Sequence, residues 1–121
     1  MLDPVCESAP VTPKEEIIIV FTHVPNRACA EHIAQTLVTE KLAACVNISS
    51  PVTSIYQWQG QVERAEEIGL IIKTSRKGYA ACETKLRMLH PYELPEIVGI
   101  HVNEGLPEYL AWVATETMGR E

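Results

Sequence analysis

Aromatic residues are scarce in this chain, with one Phe, two Trp and four Tyr among 121 residues. The apolar run Glu67-Ile68-Gly69-Leu70-Ile71-Ile72 contains none, so it cannot offer the stacked rings that RNA-recognition sheets present to bases. Basic residues are also few: ten Lys and Arg against sixteen Asp and Glu give a formal charge of −6. That balance repels a phosphate backbone, and the basic residues do not cluster, so no nucleic acid partner is expected. The longest apolar runs, Ile17 to Phe21 and Leu70 to Ile72, fall far short of the roughly 20 residues a bilayer-spanning helix needs. A soluble protein without membrane association is expected. The start, Met1-Leu2-Asp3-Pro4-Val5-Cys6-Glu7, lacks the basic and apolar stretches of an export signal, which makes the cytoplasm the expected compartment.

Cysteine pairs are missing too. Cys6, Cys29, Cys45 and Cys82 include no C-x-x-C, and a reducing compartment keeps them as thiols. No nucleophile elbow and no phosphate-cradling glycine loop is present, so neither an enzyme nor an organic cofactor is expected. The loop Pro25-Asn26-Arg27 holds an arginine without the glycines that accompany it in acylphosphatases.

What is there reads as a single domain over residues 16–121, preceded by a tail over 1–15 punctuated by Pro4, Pro10 and Pro13. Ile17-Ile18-Ile19-Val20-Phe21 is apolar on both faces, as a central strand is. After Pro25, the positions Ala30, Ile33, Ala34, Leu37 and Val38 recur at helical spacing. A long second strand runs from Ala43 to Trp58, with Pro51 marking a bend, bulge or edge. Gln59-Gly60-Gln61 turns it into a third strand ending at Thr74. Ser75 is a predicted helix cap, and Tyr79, Cys82, Leu86 and Leu89 mark a second helix stopped by His90-Pro91. A fourth strand over residues 97–102 and a short helix carrying Leu106, Tyr109, Leu110, Val113 and Met118 complete the chain.

The order β-α-β-β-α-β is that of an α+β, ferredoxin-like sandwich with an extra C-terminal helix. Two helices cover one sheet face, and a domain this small cannot leave Ile and Val wet on the other. Symmetric self-association is the simplest cover, as dimer or trimer.

Three stretches carry a family resemblance: Glu40-Lys41-Leu42-Ala43-Ala44-Cys45-Val46-Asn47, Tyr56-Gln57-Trp58-Gln59-Gly60 and His90-Pro91-Tyr92-Glu93-Leu94-Pro95-Glu96-Ile97. In order and spacing, over about residues 16 to 117, the chain resembles the CutA divalent-cation-tolerance family. The resemblance implies a homotrimer similar to the PII signalling proteins, tolerance of divalent cations, copper above all, and a role in the response to metal. In bacterial relatives proposed to bind copper, a cysteine lies near the end of the first strand. Phe21 stands there in this chain, and a phenyl ring cannot ligate copper.

The connector from His90 to Glu96 gathers an imidazole, a phenol and two carboxylates between prolines. Two readings stand: a rigid linker whose Tyr92 packs at a subunit boundary, or a ligand pocket formed by Trp58, Lys73, His90, Tyr92, Glu93 and Glu96. Tyr56 and Trp58 could line that pocket from a neighbouring chain, or serve only as interface anchors. Glu66 and Glu67 read as solvent-facing hairpin charges. For metal, His90 and Cys45 are the candidate ligands, with copper or another divalent ion as the candidate cofactor, although Cys45 among alanines also reads as packing. Cys29 and His32 share a helix face and supply half a site at most. The expected function is therefore a divalent-cation tolerance trimer. Its rivals are a PII-like sensor binding a small metabolite between subunits, and a scaffold docking another protein.

Overall fold

Eight residues, Ile17–Val24, form strand β1 at the middle of the fold, because a β-branched run of this kind buries both of its faces. The computed structural model describes residues 16–117, so the tail expected over 1–15 and Met118 of the expected last helix lie outside the described residues. After β1, Asn26 caps helix α1 (Arg27–Thr39) by accepting the Cys29 amide at 2.8 Å. The helix turns Ala30, Ile33 and Leu37 inward. It is closed by Lys41, whose φ of 61° lets the amides of Leu42 and Ala43 return to the Leu37 carbonyl.

Strands β2 (Cys45–Trp58) and β3 (Gln61–Ser75) make a long hairpin around Gln59 and Gly60. Both turn residues have positive φ, 52° and 81°, which matches the twist of the flanking strands. The ladder slips between Ile48 and Pro51, where the Gly69 amide is taken by the Ser49 hydroxyl at 2.8 Å. Pro51 thus lies at a bulge on an edge strand, since the sheet order is β2-β3-β1-β4 with β4 at Val98–His101. All the pairings are antiparallel.

Helix α2 (Tyr79–Leu89) starts later than the cap expected at Ser75. Ser75 ends β3, and its hydroxyl instead accepts the Gly78 amide, satisfying a turn that precedes the helix. Ile18, Val20 and Val24 of β1 and Ile68, Leu70 and Ile72 of β3 meet Ile33, Leu37, Cys82 and Leu86 of the two helices in one core. Burial pushes the Cys82 thiol up to about 12, so it packs as a small apolar residue.

The opposite face divides in two. Helix α3 (Pro107–Glu116) covers the Ile17 end with Leu110, Val113 and Ala114. Beyond it, Ile71, Val98 and Ile100 stand exposed beside half-buried Ile19 and Phe21, placed together by the registers Ile19↔Ile100, Phe21↔Val98 and Phe21↔Ile71. The fold is the ferredoxin-like α+β sandwich with an added C-terminal helix, and it leaves an apolar strip of sheet uncovered in the single chain.

Candidate functional site

The connector between α2 and β4 begins at His90, the C-cap of α2, which is buried against Thr22 and His23 of β1. His90 Nε2 lies 2.9 Å from the His23 carbonyl and 3.0 Å from Thr22 Oγ1. A carbonyl can only accept, so Nε2 carries the proton and Nδ1 is left to accept the Tyr92 amide at 3.3 Å. Burial lowers the His90 pKa, against a smaller opposite pull from the His23 carbonyl and the charges of Glu67 and Glu96. The imidazole is a neutral pin joining α2, β1 and the connector.

From this pin the chain turns over the end of β1. Tyr92 stacks at a tilt on His90, with ring centroids 4.9 Å apart, and its hydroxyl donates to Glu67 Oε2 at 2.7 Å. Burial, then the bond to Glu67, holds that phenol well above its usual range. Next to it, Glu96 accepts from or pairs with His23 Nδ1 at 2.8 Å, both side chains being partly exposed. These two ties hold the connector against β3 and β1.

A cleft of about 630 Å³ opens in the corner between them. Tyr56, Trp58 and Ser54 line it from the hairpin, Glu67 and His23 from the sheet, and Tyr92, Glu93 and Glu96 from the connector, with Pro91 and Leu94. Three carboxylates and no Lys or Arg stand in that lining, which gives the cleft a negative field.

Of the ligand-site residues expected from the sequence, Trp58, Tyr92, Glu93 and Glu96 line this cleft together. Lys73 is elsewhere, near α3, with its ammonium 5.9 Å from the centre of the Tyr109 ring. His90 lies behind the cleft with both ring nitrogens engaged. Cys45 pairs with Lys73, which pairs with Ile19, whereas His90 meets β1 at Thr22 and His23. Three or four residues along the strands, roughly 10–13 Å, and two strand spacings across the sheet, roughly 10 Å, therefore separate the β1 contacts of His90 from Cys45. Among the described residues, no group of three or more His, Cys, Asp or Glu side chains is arranged to hold a metal ion.

Glu67 corrects the sequence reading. Expected to face solvent, it is buried, because β3 passes under the connector at that point and Tyr92 closes over it. Tyr56 and Trp58 line the cleft from their own chain rather than only from a neighbour. His23 and Ser54 were not singled out as cleft residues. His23 shares its strand face with Phe21, an alternation that could have suggested a position on the open side of the sheet.

Residues 18–116 match the family model described as CutA1 divalent ion tolerance protein. The divalent-cation tolerance protein CutA of Thermus thermophilus is 43% identical over 103 residues, covering 85% of this chain and 98% of its own. A crystal structure of CutA from Xylella fastidiosa superposes with a TM-score of 0.81 at 44% identity, covering 84% of this chain and 97% of that one. A PII-like protein CutA from Nostoc, in apo form, gives a TM-score of 0.77 at 42% identity over 83% of this chain and 96% of that one.

Proposed function

The chain belongs to the CutA1 divalent ion tolerance family, and we propose that it works as a cytoplasmic homotrimer that takes up divalent cations, copper among them, in the response to metal. The observation that carries this reading is the cleft lining, with three carboxylates, an imidazole and no Lys or Arg. His23 and Glu96, already 2.8 Å apart, are the pair from which an ion shell would be built. Imidazole and carboxylate suit Cu(II) and zinc. Two protein ligands leave the remaining positions to water or to a second chain, so the binding is weak. His90 reaches such an ion only if its bonds to His23 and Tyr92 break, and Cys45 contributes as a separate thiol outside the cleft.

Trimer formation is supported by the uncovered strip Ile71, Val98 and Ile100, a surface that costs free energy while wet. Free thiols at Cys29, Cys45 and Cys82 accord with a reducing compartment. Calorimetric titration of the metal-free protein with Cu(II) and Zn(II) tests the reading. Saturable heat above that of a charge-matched control, lost in His23→Ala, is expected; no excess heat rules out direct ion handling.

A second reading is favoured by the size of the cleft and its three rings, Tyr56, Trp58 and Tyr92. A small metabolite, as in a PII-like sensor, fits a space of about 630 Å³ better than a bare ion does.

A further inference from the structure

Glu67 is only 8% exposed, yet among the described residues no ion pair engages it. Its Oε2 accepts from Tyr92, while no hydrogen bond or ion pair engages Oε1 among the described residues. Oε1 is thus an acceptor left open to a donor that a ligand brings. Glu67 also lines the cleft, so the approach is open from that side.

The walls above Glu67 are aromatic. Val52 pairs with Glu67, and alternation along the hairpin sets Ser54, Tyr56 and Trp58 on the same face, while Tyr92 comes from the connector. Carboxylate floor and ring walls together are the chemistry that holds organic cations, because ring faces attract positive charge and the carboxylate fixes its position. A bare metal ion takes oxygen or nitrogen ligands rather than ring faces, and among the described residues no group of three such ligands is gathered. Nucleotides and other phosphates meet three carboxylates and no Lys or Arg.

We infer that the cleft binds an organic cation, an alkylammonium or alkylguanidinium, whose head sits on Oε1 of Glu67 and whose stem lies between Tyr56, Trp58 and Tyr92. The inference rests on the cleft being the ligand site, as in the second reading above. A diamine-like ligand gains a further contact, since Glu93 and Glu96 line the mouth.

Calorimetric titration of the full chain with agmatine, and in separate runs with ADP and with Cu(II), tests this. Saturable agmatine binding is expected, weakened roughly tenfold or more by Glu67→Gln, the loss expected for one charge-assisted contact. Glutamine still accepts from Tyr92, so the fold is kept, and Tyr56→Ala on the exposed arm provides a second variant that also weakens binding. Glu104→Gln, outside the cleft, leaves it unchanged. Agmatine binding indifferent to both cleft variants overturns the inference. Cu(II) heat that falls in Glu67→Gln without any agmatine binding overturns the organic cation but keeps the ion reading. Saturable ADP binding lost in Tyr56→Ala overturns the charge assignment while keeping the cleft as a site, and silence from all three ligands removes both readings.

Discussion

Tyr92 donates its phenolic proton to Oε2 of Glu67 across 2.7 Å, and this bond joins the connector after α2 to a hairpin strand 25 residues earlier. The carboxylate is buried and the phenol partly so, which makes the bond stronger than one in water and its loss more costly.

Tyr92→Phe keeps the ring and removes the donor, leaving both Glu67 oxygens without a hydrogen bond. Denaturant unfolding at fixed protein concentration should show a loss of about 1–3 kcal/mol. Glu67→Gln combined with Tyr92→Phe should lose less than the two single changes summed, because the uncompensated charge has gone. Full additivity would mean that the two residues do not share this bond.

The buried imidazole of His90 makes stability fall in mild acid. Its folded pKa is lowered from 6.5, so between that value and the folded one the unfolded chain binds more protons. The contribution of His90 is complete above pH 6.5 and is lost progressively as pH drops toward the folded pKa. Melting curves from pH 8 downward should show the decline, and His90→Gln, which cannot titrate, should flatten it. An equal slope in the variant would assign the effect to other groups.

Gly99 has no room for a methyl group. A Cβ there would stand 2.9 Å from Ile18 Cγ2 and 3.2 Å from the Tyr79 ring, where β4 passes under the start of α2. Gly99→Ala should cost about 1–3 kcal/mol through overpacking, read from the shift in the denaturant midpoint. Gly60→Ala meets nothing within 4 Å, but its φ of 81° is unfavourable to alanine, so a smaller loss of about 1 kcal/mol is expected there from strain alone.

Ile100 tests the association. It is 49% exposed in the single chain, so Ile100→Asp should do little to a solitary subunit. In the proposed trimer it would bury a charge, and sedimentation at micromolar concentration should shift from trimer to monomer. A wild-type protein that already sediments as a monomer would contradict the trimer.

The alternation and spacing of apolar residues were enough to order every strand and helix from Ile17 to Glu116, because each element draws its character from neighbours one to four positions away. Pro51, Gly60 and His90-Pro91 marked the bulge, the turn and the helix end through backbone limits that are likewise local. Local signals could also place Trp58, Tyr92, Glu93 and Glu96 as candidates, since each lies in a compact, unusual stretch. What they could not carry was long-range placement. Glu67 looks like its neighbour Glu66 in the sequence, and only the passage of the connector over β3 buries one of the pair. His23 and Glu96, 73 residues apart, meet because β4 returns beside β1, and Lys73 leaves the group because its strand carries it to the α3 end of the sheet. Sheet register and chain crossing fix such distances, and neither is a property of any short segment.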